Sequence, residues 1–418
     1  MAKQNKNDIE YDRIQIAKLQ YSKSLGENKL AEYKDSSGEN IRIGTVREVV
    51  TDDFGQKAYV IQSVDKKEVS VIYRGSEGPG TKGSAVDWLE NDIPMADKII
   101  NGKKGVTPQL ASSANTLNNV LANDDYKGAD IVVYGHSLGS MDAQYALANV
   151  KDPSRIKGAY IYQGPNIYGT LSKEQQEKVD SMKYRIQNYV DEKDIIPIGY
   201  LPYGSTQAVG IVHHVDSKWS TFDPNITKTI GDQHLWGGYQ YNADGSLKIL
   251  DTTSQMETTY SEALDVTATG LYVYEQDKKK FQKSGKGISS HEKIFLDAEQ
   301  ATVIASGLVS TAETALEEIK SSAQTAVEEA EELWNTTKDM PFGITELTEA
   351  ELAEAYAEGG VTYESIVTKT KTHFDKKVVK AEELVTTYTT LKSDIQSGLE
   401  TMLSKDSELA GDFKAWEA

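Results

Sequence analysis

Residues 130–150 read DIVVYGHSLGSMDAQYALANV, and they contain the strongest indication of the fold in this sequence. It begins with a short apolar run that leads into glycine, which is typical of a buried parallel strand. A helical pattern with small residues on one side starts without a gap at Leu138. Between the two lies the pentapeptide Gly135-His136-Ser137-Leu138-Gly139. A strand that turns directly into a helix at such a serine predicts a nucleophile elbow, with Ser137 as the nucleophile.

The sequence on either side alternates between strand and helix patterns. Apolar and β-branched runs predict strands, and longer amphipathic runs predict helices. This alternation predicts an α/β fold with a mainly parallel sheet whose faces are both covered by helices. The predicted strands are 41–50, 58–64, 68–75, 130–137, 156–165 and 184–190, and the predicted helices are 8–25, 85–100, 108–123, 138–150 and 172–182.

The composition excludes several kinds of chemistry. The chain has no cysteine, which excludes a disulfide framework, a thiol nucleophile and a zinc–thiolate site. Its net charge is −19. Residues 290–418 hold 11 Lys and Arg against 26 Asp and Glu, so most of the net negative charge lies in the last third. Nucleic-acid binding needs basic surface, and we therefore expect no nucleic-acid partner.

The N-terminal residues are basic but contain no apolar core of a secretory signal peptide. No window approaches the ~20 apolar residues that a membrane span needs. We therefore expect a soluble protein that, if it is secreted, uses a route without a cleaved signal peptide, and that is otherwise cytoplasmic.

A second domain is predicted after a Lys, Gly and Ser stretch at Lys278–Gly287, which divides the chain into residues 1–280 and 288–418. From Ala305 to Leu333, apolar residues recur at steps of three and four, as on one face of a helix. Heptad spacing continues beyond Thr362. These patterns predict a separate α-helical hairpin, ~60 to 70 Å long at 1.5 Å per residue, with a short capped helix starting after Thr348.

A serine nucleophile needs a base, and six histidines limit the choice. His136 lies within the elbow, and His291 and His373 fall in the helical segment. His213 and His214 lie in the apolar run IVHHV, where alternation would direct one inward and one outward. His234, in GDQHLWGGY, follows a loop and is the favoured base, with the His213 and His214 pair as the alternative.

The orienting acid should follow a strand after the elbow. Asp191, Glu192 and Asp194 all follow the predicted strand 184–190. Asp194 precedes Ile-Ile-Pro, a rigid apolar segment, and is therefore preferred over Asp191.

Oxyanion-hole donors are expected at two places. The Leu138 N–H at the helix N-terminus is one candidate. The second should come from the loop after an earlier strand, where VIYRGSEG offers Gly75 and Ser76.

The segments YRGS (73–76), DWLEND (87–92), VVYGHSLGS (132–140) and DIIP (194–197) resemble the class 3 lipase family in content, order and spacing. The resemblance covers roughly residues 40–250. It implies an α/β-hydrolase fold, and it implies hydrolysis of lipid or phospholipid esters through an acyl-enzyme, without a metal or organic cofactor. It assigns the second oxyanion donor to Ser76, the acid to Asp194 and the base to His234. Separately from the resemblance, residues 200–233 contain the loop-like, aromatic stretch YLPYGSTQAVG, which is compatible with a lid and equally with an ordinary loop.

The whole architecture resembles lipase effectors that Gram-positive bacteria export by type VII secretion, in which the helical part is similar to an LXG targeting domain. This resemblance implies an antibacterial phospholipase A, small helical partner proteins and an immunity protein. The expected docking stripe includes Trp334, Phe374, Tyr388 and Ile395. Two alternatives are an intracellular esterase whose tail oligomerises it, and an inactive hydrolase-fold binding protein.

Overall fold

The chain forms two compact units, Met1–Tyr272 and Val273–Ala418. The computed structural model describes residues 9–76, 93–101, 103–200, 207–220, 226–242, 245–283, 288–340 and 348–416.

The first unit is built on an eight-stranded sheet in which the strands lie in sequence order. The strands β1 to β4 pair antiparallel, and β4 to β8 pair parallel. Because the parallel part holds the strands on both sides of the elbow, the predicted fold class is confirmed. The strands are β1 (Leu30–Lys34), β2 (Asn40–Thr51), β3 (Lys57–Ser63), β4 (Glu68–Tyr73), β5 (Asp130–His136), β6 (Ile156–Tyr162), β7 (Ile186–Val190) and β8 (Ile211–His214).

Helices accompany these strands and connect the parallel ones. The described helices of this unit are α1 (Ile9–Lys18), α2 (Ile93–Ile100), α3 (Pro108–Ala122), α4 (Leu138–Ala148), α5 (Lys173–Ser181), α6 (Ile226–Asp232), α7 (Thr252–Thr259) and the first half of α8 (Ser261–Lys283). A 3₁₀ turn, Leu19–Tyr21, continues α1.

Both faces of the sheet are buried, which explains why β5 is apolar along its length. Every residue of β5 except Asp130 is buried. Val133 belongs to the apolar core shared with α3 and α4, whereas Val132 and Tyr134 belong to the core that Ile14 of α1 enters. Alternate residues of one strand thus enter opposite cores, as the pleat of a strand requires.

The region after β8 differs from the sequence-based expectation. The predicted linker, Lys278–Gly287, is helical up to Lys283, and residues 284–287 lie outside the described residues. The helices α7 and α8 were not predicted. Lysine is compatible with helix, and polar contacts hold these helices to the turn before β7. Arg185 donates to Asp265 Oδ2 at 2.8 Å and to Thr269 Oγ1 at 3.0 Å.

The second unit contains α9 (Ser290–Thr336), α10 (Glu349–Glu358) and α11 (Lys369–Trp416). The helices α9 and α11 pack antiparallel. Lys320 lies 3.6 Å from Glu382, and Glu331, further along α9, accepts a hydrogen bond from Tyr363, which precedes α11. The 47 residues of α9 span ~70 Å at the usual rise of a helix.

The predicted docking stripe is not an exposed face. Trp334, Phe374, Tyr388 and Ile395 are all half-buried, because the two long helices cover these side chains between them. Larger exposed apolar side chains of the unit include Leu384 and Leu391. Among the described residues, no helix has the length and apolarity to cross a membrane.

Replacing Arg185 with Met should lower the free energy of unfolding of the first unit by about 2 kcal/mol or more, because Asp265 then stays shielded and unpaired. Urea unfolding measures the change. Lys103→Met is the matched control, since Lys103 and Asp97 form a solvent-exposed ion pair, and its cost should stay below about 1 kcal/mol. Equal costs for the two substitutions would contradict this account of how α8 is held.

Candidate active site

The elbow serine has the strained backbone that the GxSxG motif predicts. Ser137 separates β5 from α4 and adopts φ 58° and ψ −127°. Such a conformation costs about 1 to 3 kcal/mol in a residue with a side chain, so surrounding contacts must hold it. The Ser137 N–H donates to the Tyr162 carbonyl at 3.0 Å, which ties the turn to β6.

Glycines allow the start of α4 to approach the sheet. A Cβ on Gly139 would lie 2.4 Å from the Tyr73 carbonyl oxygen, and a Cβ on Gly135 would lie 2.2 Å from the Gly139 carbonyl oxygen. Gly164, which follows β6, is similarly close to Ser140. The atoms approached at Gly135 and Gly139 are backbone atoms that cannot rotate away, so these two positions require glycine.

The structure brings Asp194 and His234 together. His234 Nδ1 lies 2.6 Å from Asp194 Oδ2, and the other carboxylate oxygen accepts a hydrogen bond from the Ile196 N–H at 3.0 Å. The Asp194 side chain is fully buried. An aspartate held in this way can orient an imidazole, because the Nδ1–H donates to the carboxylate and leaves Nε2 to accept a proton.

His234 lies in the irregular turn Gln233–Gly237, directly after α6. Trp236, in the same turn, has φ 64°. His136 Nε2 lies 2.8 Å from the His234 carbonyl oxygen, so this nitrogen carries the hydrogen and donates it. The residue next to the predicted nucleophile therefore holds the backbone of the predicted base.

His136 is a neutral imidazole. Burial holds the pKa of His136 well below its usual value. Since Nε2 is the donor, Nδ1 is the acceptor, and the Tyr21 hydroxyl donates to it at 2.7 Å. The His136 ring also lies against Trp236, with 4.0 Å between ring centroids.

The alternative bases have other partners. Both His213 and His214 are buried, so the expected alternation of one inward and one outward side chain is wrong. The reason is that β8 is covered on both faces. His213 Nε2 lies 2.7 Å from Gln187 Oε1, and burial lowers the pKa of His213 to about 3. His214 Nδ1 lies 3.2 Å from Glu192 Oε1.

The two predicted oxyanion positions flank the serine. Leu138 is the first residue of α4, so its N–H has no carbonyl within the helix to bind. Ser76 is half-buried and directly follows Gly75, three residues beyond the end of β4 at Tyr73. A Cβ on Gly75 would lie 3.2 Å from Ser137 Cβ, which places this loop directly beside the serine.

Asp191 has a role at this site that sequence reasoning did not foresee. Its Oδ2 accepts a hydrogen bond from Gln233 Nε2 at 2.6 Å, and its Oδ1 accepts one from the Ser217 hydroxyl at 2.6 Å. Its carbonyl oxygen accepts the Asp194 N–H at 3.0 Å. Asp191 thus connects the turn of the acid with the residue before the base. A buried amide next to a candidate base is not a recognisable motif, and no sequence signal identifies it.

Some expectations fall outside the described residues. The DWLEND segment does, and so does part of the predicted lid, at 201–206 and 221–225. Across the part of the chain that the structure describes, no cluster of three or more His, Asp or Glu side chains is arranged to hold a metal ion.

A parallel sheet with a strained serine at the end of β5, followed directly by a helix, defines the α/β-hydrolase class of fold. The Mbeg1-like family model matches residues 34–233, a little under half of the chain. No curated protein matches the chain.

Solved lipases are similar at low identity. The Lip2 lipase from Yarrowia lipolytica is 14% identical, with a TM-score of 0.31 over 52% of this chain and 82% of that lipase. A triacylglycerol lipase from Penicillium expansum is 17% identical, with a TM-score of 0.32 over 50% of this chain and 78% of that lipase. A fungal lipase in an inhibitor complex is 16% identical, with a TM-score of 0.23 over 43% of this chain and 66% of its own.

Replacing Gly139 with Ala should lower the free energy of unfolding by about 2 kcal/mol or more, because the new Cβ forces α4 away from the Tyr73 carbonyl. It should also slow labelling of Ser137 by a fluorophosphonate. Thermal unfolding and labelling rate are the measurements. Gly169→Ala is the control, since no heavy atom lies within 4 Å of a Cβ at that position. A Gly139→Ala protein as stable and as reactive as this control would refute the close-packing requirement.

Proposed function

We propose that the chain is a serine hydrolase that cleaves carboxylic esters of lipids through an acyl-enzyme. The observation that carries the proposal is the combination of a strained serine elbow with a buried aspartate–histidine pair. The His234 carbonyl is bound by His136, the neighbour of Ser137, and the rings of the two histidines have centroids 4.6 Å apart.

The proposed reaction follows from these positions. Ser137 Oγ attacks the ester carbonyl carbon while His234 Nε2 takes its proton. Asp194 accepts the Nδ1–H and stabilises the imidazolium. The N–H groups of Leu138 and Ser76 donate to the oxyanion. His234 then protonates the leaving alcohol, and water attacks the acyl-enzyme by the same steps in reverse, releasing the fatty acid.

Exposed apolar side chains beside the acid and the base support a lipid substrate. Ile195 follows Asp194 and is 66% exposed, and Leu235 follows His234 and is 48% exposed. Trp219, near the Gln233 side chain in the same loop region, is 70% exposed. Large apolar side chains this exposed around a site favour an apolar ligand or a lipid surface. Within this class we propose phospholipase A activity, the finer assignment that the resemblance to type VII lipase effectors implies.

Ser137→Ala should reduce ester hydrolysis by at least about 10⁴-fold, and Asp194→Asn or His234→Asn by about 10² to 10⁴-fold. The assay is release of fatty acid from a panel of phospholipids and neutral glycerides, read by mass spectrometry. Ser154→Ala is the control, because this hydroxyl binds Asp152 at the surface. Undiminished hydrolysis by Ser137→Ala would rule out the assignment. Cleavage of glycerides alone would refute the phospholipase form.

We further propose that the protein is an antibacterial effector exported by type VII secretion. In this proposal the helical unit targets the enzyme for export by binding small helical proteins. Its acidity and its separate compact unit support this role. The exposed Leu384 and Leu391 are the proposed docking residues, in place of the half-buried stripe. The alternative is an intracellular esterase that oligomerises through the same residues.

Light scattering on the full chain separates these two roles. The export proposal expects a monomer, because the docking residues await a different protein. A dimer that Leu384→Asp dissociates would instead establish the oligomerisation alternative. Thr387→Asp, at an exposed position of the same helix, is the charge-matched control and should leave the mass unchanged.

A further inference from the structure

The 3₁₀ turn Leu19–Tyr21 reaches the candidate active site through two consecutive side chains. Gln20 is fully buried, and its Oε1 accepts the Gly75 N–H at 2.7 Å. Tyr21 donates to His136 Nδ1 at 2.7 Å. One contact holds the loop that contains Ser76, and the other holds the residue before Ser137. Both contacts come from residues that precede the segment matched by the family model, which begins at residue 34.

Gly75 is where the N-terminal turn and the elbow come together. A Cβ on Gly75 would lie 2.4 Å from the Tyr21 hydroxyl oxygen and 2.6 Å from the His136 carbonyl oxygen. Gly75 is therefore enclosed by the N-terminal turn on one side and the elbow on the other. Movement of the turn would change the position of the Gly75–Ser76 loop relative to Ser137.

A chain of two hydrogen bonds also connects Tyr21 with His234, the proposed base. Tyr21 donates to His136, and His136 donates through its other ring nitrogen to the His234 carbonyl. The Tyr21 hydroxyl selects the tautomer of His136 that has its hydrogen on Nε2. Without that hydroxyl, the other tautomer becomes accessible, and it cannot donate to His234.

The turn is itself held rigidly, as a positioning element must be. Gln20 Nε2 donates to the Ala17 carbonyl at 2.7 Å, so both ends of this amide are bound. Within α1, Ile14 is buried in the core beneath it. Arg13 donates to the Tyr134 hydroxyl and lies 4.7 Å from the centroid of the Tyr160 ring. Helix α1 is thus fastened to strands β5 and β6.

We propose that Gln20 and Tyr21 are positioning residues of the active site, which set the Gly75–Ser76 loop and the His136–His234 contact. Neither contacts the reacting atoms. The role rests on the proposed function, because its catalytic consequence is the alignment of an oxyanion donor and a base. Small displacements of such groups lower kcat more than they change substrate binding.

Gln20→Met retains the length of the side chain and removes both hydrogen bonds. It should lower kcat for a soluble p-nitrophenyl ester by about 10 to 100-fold, part of the loss expected for a deleted oxyanion donor, and change KM less than about threefold. Tyr21→Phe should lower kcat by about 3 to 10-fold, since the hydrogen bond to His136 is one step removed from the base.

Matched controls separate positioning from loss of stability. Gln56 is buried and donates to Thr116 at 2.7 Å, and Tyr126 donates to Glu48 at 2.6 Å, both away from the elbow. Gln56→Met and Tyr126→Phe should lower the unfolding temperature to a similar degree and leave kcat unchanged. If Gln20→Met and Tyr21→Phe have the kcat of these controls, the positioning role is refuted.

Amide hydrogen exchange tests the contact without relying on catalysis. In Gln20→Met, the Gly75 amide should exchange at least about tenfold faster than in the Gln56→Met control, because its acceptor is gone. The Arg74 amide, which donates to the Lys57 carbonyl, serves as the internal reference. Unchanged exchange at Gly75 overturns the inference. A parent protein that cleaves no ester would refute the proposed function, and exchange at Gly75 would still decide whether Gln20 holds this loop.

Discussion

The close approach of α4 to the end of the sheet is the constraint on which the site depends. Only Ser137 separates the end of β5 from the start of this helix, and the chain makes the turn by placing Ser137 at φ 58°. Gly139 then lies against the Tyr73 carbonyl, where a side chain would collide with backbone. Strain at the serine and the absence of side chains at the glycines are two results of one requirement. In the proposed reaction, the helix N-terminus faces the point where negative charge develops.

Side chains that are distant in sequence hold the remainder of the site. The candidate base lies in a π-helical turn whose backbone leaves helical geometry at Leu235 and Trp236, so regular helical pairing does not continue past it. His136 binds the His234 carbonyl, and Asp191 binds the Gln233 amide. These hydrogen bonds are shielded from water, where breaking one leaves a buried polar group unsatisfied. The geometry of the base therefore depends on buried polar contacts more than on secondary structure.

The elbow is formed by residues adjacent in sequence, whereas the base is held by residues distant in sequence. This difference explains what could be predicted from the sequence. The elbow was predictable, because a strand, a GxSxG motif and a helix are adjacent in the chain. Asp194 could be selected by its place before Ile-Ile-Pro, and His234 could be favoured among six histidines, both in agreement with the class 3 lipase resemblance. The structure brings the two side chains within hydrogen-bonding distance. The helix α8 was not predictable, because Arg185, distant in sequence, holds it by polar contacts.

The two errors of side-chain placement have a similar origin. Strand alternation predicts that one of His213 and His214 is exposed, but β8 is covered on both faces and buries both. Heptad spacing beyond Thr362 identifies an apolar stripe correctly. It does not say whether a partner protein or the neighbouring helix covers that stripe, and here α9 does so. In both cases, a segment distant in sequence determines which side chains are buried, and the local residue pattern gives no information about that segment.

In the proposed hydrolase, the candidate acid and base are coupled to exposed apolar side chains that are their neighbours in sequence. Ile195 and Leu235, the exposed apolar residues, directly follow the acid and the base. The contacts that hold Asp194 and His234 therefore also determine where these apolar side chains lie. A change in Asp191, His136 or the N-terminal turn would displace both the proposed acid and base and the exposed apolar side chains that follow them. Because one set of buried hydrogen bonds holds both, an apolar ligand bound to these exposed side chains, as the proposed function expects, would also stabilise the turns that contain Asp194 and His234.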